Sequence, residues 1–308
     1  MTQKKHLNLL ESGKINISNF IKVCWMWKYH VFLIVLIFST ISVSYSFTIQ
    51  NKYTSIAILK EKNQNNNLQG LGTIGRLGFG GSVSESKTDL AIAVIKSRAF
   101  VEELAKDSYI KSSIYAANSF DPSTKKIIYN QNIFLEATNS WNKNRYPHPS
   151  GPSYIDVHKK YLKSLRISKD NLTGFVTISY EHVSPIFAFE FLNIIISNVN
   201  QLIKENDLSE AELAKSFLYE ELDNTSSTYV NDAISELIKS QLETQVKAKA
   251  SKNYVFDMID KPFIPIKRSK PSRSVALAFG LFLGLLASLV YILLSNEKLK
   301  SRIHESEY

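Results

Sequence analysis

Cysteine occurs once, at Cys24, so no disulfide can close within the chain. The six histidines (His6, His30, His148, His158, His182 and His304) are scattered, and none has metal-ligand spacing to another. No Gly-x-Ser-x-Gly elbow occurs, which argues against a hydrolase of that type. Proline and glycine are both missing from 186 to 252, and charge is missing from two stretches, 29–51 and 274–296. The first three absences set aside a disulfide scaffold, a zinc centre and one kind of nucleophile. The last two shape everything that follows.

A helix needs roughly 20 apolar residues to cross the hydrocarbon core, and each uncharged stretch is long enough. Ser274–Leu294 reads SVALAFGLFLGLLASLVYILL, shows no polar face, and carries Tyr291 where an interfacial aromatic would sit. Val31–Phe47 is apolar to about Phe38 and then turns to hydroxyls, Ser39, Thr40, Ser42, Ser44 and Ser46, which can hydrogen-bond back to their own helix. Trp25, Trp27 and Tyr29 form an aromatic belt before it, and the long segment ahead of it reads as an uncleaved anchor rather than a signal peptide. Lys4, Lys5, Lys14, Lys22 and Lys28 precede this first span, which predicts a cytoplasmic N-terminus. Lys261, Lys267, Arg268, Lys270 and Arg273 crowd the other side of the membrane, but a large domain translocates largely regardless of charge. The expected layout is 1–28 cytoplasmic, 29–50 spanning, 51–273 an external domain, 274–295 spanning and 296–308 a cytoplasmic tail. Much of the cationic excess behind the net charge of +9 flanks the spans, where it suits acidic headgroups. No basic stripe with interleaved aromatics points to nucleic acid.

Within the domain, Tyr53–Lys60 reads as a strand and 61–86, polar and then glycine-rich, as a loop. Lys87–Asp107 has helical spacing at Leu90, Val94, Val101 and Leu104. Tyr154–Leu165 reads as a short helix, Leu172–Tyr180 as an alternating strand, and Asn253–Ile259 as a strand returning to the base. Ser184-Pro185 is a strong helix start. If the helix ran unbroken to Lys252 it would reach about 100 Å, with weak points at Asp207 and at Asn224–Thr228. Beyond Asp207 its apolar residues form only a narrow stripe of Leu218, Leu222, Tyr229, Ile234, Leu237, Ile238 and Val246. Such a stripe predicts an arm projecting into water or packed on a neighbouring chain, hence a homo-oligomer. The fold class expected is α+β: two transmembrane helices, an α/β base and a long extended helical arm.

Gly70-x-Gly72-x-x-Gly75 spells a dinucleotide fingerprint, but an Asn/Gln run precedes it and no helix opens after it, so no cofactor is expected. The carboxylates between Glu205 and Asp223 read as a solvated helix face. Ala276, Gly280, Gly284 and Ser288 recur every four residues and place small side chains on one ridge, where helix backbones approach closely in lipid. Ahead of that ridge, Pro262, Pro265 and Pro271 make the connector extended and stiff.

Taken in order, these features resemble the polysaccharide co-polymerases, the Wzz-type chain-length determinants. The similar residues are Pro262, Pro265, Pro271, Ser272 and Arg273, then Gly280 and Gly284, with KTDLAIAVIKSRAF (Lys87–Phe100) and SKDNLTGFVTISYEH (Ser168–His182). The resemblance implies a non-enzymatic regulator in a bacterial inner membrane, its main domain periplasmic and its subunits in a ring. Its implied partners are membrane lipid, a polysaccharide polymerase and the undecaprenyl-linked glycan of O-antigen or a related polymer. The alternative is a membrane-anchored adaptor of a capsule or exopolysaccharide export machine. The dozen residues after the second span lack a phosphate loop and hold one tyrosine, Tyr308, so no fused kinase is expected.

Overall fold

The computed structural model describes residues 27–62 and 87–305, together with 10–11, 14–15 and 25. The glycines of the loop 69–81, Cys24 and Tyr308 lie outside the described residues. In chain order the elements are α1 (Lys28–Thr48), β1 (Tyr53–Glu61), α2 (Lys87–Lys96), α3 (Arg98–Leu104) and α4 (Ser108–Ala116). Two small hairpins follow, β2 (Ala117–Asp121) with β3 (Lys126–Tyr129) and β4 (Phe134–Leu135) with β5 (Ser140–Trp141). Then come α5 (Tyr154–Ser164), β6 (Leu165–Lys169) and β7 (Val176–His182). The last elements are α6 (Pro185–Asn224), α7 (Thr228–Ala250), β8 (Phe256–Asp260) and α8 (Arg273–Glu305). The chain divides into two units, Met1–Asn51 with Ser269–Tyr308, and Lys52–Arg268.

The larger unit is built on an antiparallel sheet of order β8-β1-β7-β6. Alternation decides its faces. Val176, Ile178, Tyr180 and His182 are buried while Thr177, Ser179 and Glu181 are not, and Ala57 and Leu59 of β1 join the covered face. Onto that face α6 lays Phe187, Phe191, Leu192, Ile195, Ile196 and Val199, all buried. Burying each such side chain contributes about 1.5–3 kcal/mol, so this seam holds the unit together. The start of α6 follows its sequence: Ser184 Oγ accepts from Phe187 N at 3.2 Å, and Pro185 occupies the first turn.

The single helix expected over Lys87–Asp107 is two. Ser97 leaves helical geometry and its Oγ accepts from Phe100 N at 3.2 Å, capping α3. Between β3 and α5, Phe134 and Trp141 form a small apolar cluster with Ala116. Gly151 closes it: its φ is +74°, and a Cβ there would lie 2.3 Å from the Trp141 ring.

The expected extended arm is also different. Helix α6 ends at Asn224, and Thr225–Ser227 turn the chain back into α7. The pairing is antiparallel: Gln245 Nε2 donates to Glu212 Oε2 at 2.7 Å, and Lys204 Nζ to Ser251 O at 3.1 Å. The arm is therefore a helical hairpin. The helix runs through Asp207 without a break.

Three helices are long and apolar enough to cross a bilayer by length and composition: α1, α6 and the part of α8 over Arg273–Ile292. Two were expected from the sequence; α6 is the addition, and half of its apolar window is already buried within the chain.

Candidate functional site

The expected small-residue ridge lies in the unit formed by α1 and α8, which pack antiparallel. Gly280 and Gly284 are buried, and their backbone approaches α1 directly. A Cβ on Gly280 would sit 2.9 Å from Ser39 Cα, and one on Gly284 would sit 2.7 Å from Val35 Cα. Ser288 is buried and donates to Leu285 O within its own helix at 2.7 Å. Ala276 receives at its carbonyl a hydrogen bond of 2.6 Å from Ser42 Oγ. The sequence suggested that the hydroxyls of the first span bond back to their own helix. Thr40 does so, to Leu36 O at 2.8 Å; Ser42 crosses instead. Arg273 closes one end with its guanidinium 4.0 Å from the Phe47 ring centre. At the other end Tyr291 meets Trp27 and His30, with ring centres about 6 Å apart.

In the connector, Pro262 and Pro265 are buried while Phe263, Ile264 and Ile266 face outward. Ser55 Oγ donates to Phe263 O at 2.8 Å, which ties the connector beside β1. Pro271 and Ser272 lead into α8, whose first turn includes a bond from Ala276 N to Ser272 O.

The stripe divides. Ile234 and Ile238 are 6% and 7% exposed, covered within the chain by the return of α7 onto α6; Leu218, Leu222 and Leu237 are half-buried, and Tyr229 is exposed. The narrow stripe therefore does not by itself demand a neighbouring subunit. Nothing in the stripe itself says that it folds back on α6; the Asn224–Thr228 weak point is the signal in the sequence that does. Tyr229 and Val246 of the stripe are left outside, and so are apolar residues that the stripe did not include. Leu213 and Phe217, one turn apart, lie on the side of α6 turned from Ala211, and Leu242 and Val246 are exposed on α7.

The base of the hairpin is held by polar side chains, and one of them, Asp207, belongs to the carboxylate run expected to be a solvated helix face but is engaged with Tyr254 and Lys87 instead. Asn200 is buried, and its Oδ1 accepts from Val255 N at 2.7 Å and Phe256 N at 2.9 Å. Asp207 Oδ2 accepts from Tyr254 Oη at 2.6 Å and from Lys87 Nζ. Burial opposes the charged form of Lys87, but the bonds to Asp207 and Tyr254 outweigh it and hold its pKa above the ordinary lysine value. Thr88 Oγ1 donates to Glu61 Oε2 at 2.7 Å, so the exit of β1 and the entry of α2 are clasped together. Each of these groups is engaged in fixing one element against another. Among the described residues no group of three or more His, Cys, Asp or Glu side chains is placed to hold a metal.

A pair of apolar helices from opposite ends of the chain, joined to an α+β unit with a helical hairpin, defines the class. Residues 13–108 match the family model of the chain length determinant protein, Wzz. The match runs from ahead of α1 to the first residue of α4 and contains the Lys87–Phe100 segment on which the resemblance rested. The chain is thus similar to the Wzz chain-length determinants over that segment. Comparison with curated protein sequences finds no match. Among solved structures, a full-length bacterial polysaccharide co-polymerase aligns at 13% identity, covering 92% of this chain and 99% of its own, with a TM-score of 0.39. A fragment of WzzB, a polysaccharide co-polymerase from Salmonella Typhimurium, aligns at 13% identity, covering 71% of this chain and 100% of its own, with a TM-score of 0.32.

Proposed function

We propose that the protein is an inner-membrane polysaccharide co-polymerase that sets the chain length of O-antigen or a related surface polysaccharide, without catalysis of its own. The match of residues 13–108 to the chain length determinant family carries this reading. In it, α1 and α8 are the two spans and 51–273 is the periplasmic domain. Helix α6 stays with the domain, because its apolar face is already covered by the sheet. The Gly280–Gly284 ridge and its Ser42 bond hold the spans as a pair. The family motif residues Pro262, Pro265, Pro271, Ser272 and Arg273 set the stiff approach to the second span.

The protein acts as an oligomeric scaffold on a polymerase and its undecaprenyl-linked glycan. Support comes from the apolar side chains that the hairpin leaves outside, Leu213, Phe217, Leu242 and Val246, which a second copy would cover. The test is a deletion strain with its surface glycan resolved by length. The expected result is polymer still made, its preferred length lost, and the preference restored by the intact gene. Complete loss of surface glycan would turn the reading toward an export adaptor, which should copurify with outer-membrane components rather than a polymerase.

A further inference from the structure

Between Lys261 and Arg273 the chain carries five cations (Lys261, Lys267, Arg268, Lys270 and Arg273) and no acid. The apolar side chains in the same segment are turned the unusual way. Pro262 and Pro265 are buried, while Phe263 and Ile264 are each about half exposed and Ile266 is 94% exposed. A run that hides its prolines and presents isoleucine among cations is not explained by the packing of its own unit.

The topology locates this segment. The connector passes beside Ser55, near the start of β1, and the same end of the sheet contains the end of β7, where His182 pairs with Tyr53. The beginning of β6 is there too, since Leu165 pairs with Tyr180. Both chain connections to α1 and α8 leave the larger unit at this end, through Asn51–Lys52 and Arg268–Ser269. More positive charge gathers there. Lys160 is held below its ordinary pKa first by burial and then by repulsion from Lys52 and Lys163. Acids are present as well: Glu181 pairs with Lys52 at 3.0 Å, and Asp260 directly precedes Lys261 in the chain. The opposite end of the sheet carries the β6–β7 turn with Leu172, 97% exposed.

We propose that Ile264, Ile266 and the cations Lys261, Lys267, Arg268 and Lys270 form an interfacial strap that docks this end of the domain on anionic lipid headgroups. The chemistry is that of an interfacial anchor: apolar side chains enter the headgroup boundary while lysine and arginine stay at the phosphates. Charge complementarity and continuity with the second span select lipid as the occupant. Ile266 is seven residues from Arg273, so the strap can lie no more than about 25 Å along the chain from the start of α8. Anionic headgroups would also offset the repulsion that Lys52 and Lys163 exert on Lys160. The inference rests on the reading of α1 and α8 as spans.

The test uses the full chain with Cys24→Ser, an environment-sensitive fluorophore on Ile266→Cys, and the same label on Leu172→Cys as the water-exposed reference. Each protein is reconstituted into phosphatidylcholine vesicles with or without phosphatidylglycerol. The Ile266 label should shift to the blue and be quenched by shallow nitroxide lipids when phosphatidylglycerol is present, and the Leu172 label should do neither. Lys267→Gln with Arg268→Gln and Lys270→Gln, or raised salt, should return the Ile266 signal to its value in neutral vesicles. An Ile266 label as hydrated as that on Leu172 overturns the proposal, as does equal burial with and without the anionic lipid. Release of the protein from the vesicles by alkaline carbonate would instead overturn the spanning reading, and the strap with it.

Discussion

The Cβ that Gly280 lacks would fall 2.8 Å from the Cβ of Ser42, and the Ser42 hydroxyl reaches past that point to the carbonyl of Ala276. One missing side chain thus permits both the close approach of α1 to α8 and the hydrogen bond that crosses it.

Substitution at Gly280 should therefore matter more than loss of the hydrogen bond. Gly280→Leu forces the helices apart, an overpacking penalty of about 1–3 kcal/mol or more. Ser42→Ala removes one interhelical bond, typically worth about 0.6 kcal/mol within a membrane. Gly280→Ala also strains the pair, because the backbone of Ser39 stands 2.9 Å from the added atom. Unfolding in detergent by SDS titration ranks the three. Were Gly280→Leu no more sensitive than Ser42→Ala, close approach would not be what holds the helices.

His182 predicts an acid-sensitive domain. Its Nδ1 accepts from Ser184 N at 3.1 Å, so Nε2 carries the proton and donates to Ser113 O at 2.9 Å. Burial pushes the imidazole down from 6.5 to about 4, while the bond to the Ser113 carbonyl opposes the shift and Lys160 and Lys52 add to it. Between those values the unfolded chain binds the proton and the folded one does not, so stability falls as pH falls through this window. The drop should amount to as much as about 3 kcal/mol. Urea titrations from pH 7 to 4 should show it, and His182→Gln should be weaker at pH 7 but flatter with pH. An equal slope in the variant would assign the acid sensitivity to other groups.

Asn200 fixes the start of β8 by accepting from the N–H groups of Val255 and Phe256. Asn200→Ala strands the N–H groups of Val255 and Phe256 in the core, at about 1–3 kcal/mol each. Asn200→Asp keeps the acceptor but loses donation to Ile196 O, 3.0 Å away. Urea unfolding should place alanine lowest. A midpoint close to wild type would mean that water takes over the amide's role.

Local signals were legible in the sequence. Ser184-Pro185 starts a helix, Val176–Tyr180 alternates as a covered strand should, and two of the three helices long and apolar enough to cross a bilayer are visible as uncharged runs. What was not legible depends on partners distant in sequence. The ridge from Ala276 to Ser288 shows four small residues, but nothing local says that Ser42 and Val35 stand opposite. The hairpins around Trp141 are too short to show a period, and they depend on Gly151 leaving room for an indole. The hairpin arm is the clearest case. A narrow stripe at Ile234 and Ile238 states that some surface must cover it, and cannot state whether that surface is α6 of the same chain or a second copy.

That distinction yields the sharpest test of the proposed scaffold. Ile234 is covered within the hairpin, so Ile234→Glu puts an unpaired charge between α6 and α7 and should loosen the hairpin itself, by a few kcal/mol. Leu213 and Phe217 are exposed on the outer side, so Leu213→Glu with Phe217→Glu should leave the urea midpoint of the domain nearly unchanged. If a second copy covers that side, the same double change buries charge at the contact between subunits and should shrink the complex seen by sizing in detergent. The surface polysaccharide should then lose or shorten its preferred length while polymerisation continues. A complex of unchanged size would place the subunit contact elsewhere on the chain. A dispersed complex with an unaltered length distribution would break the proposed link between assembly and length. The order of the two variants matters as well: if the outer pair unfolds the domain as readily as Ile234→Glu does, those side chains belong to its core and no neighbour is needed to explain them.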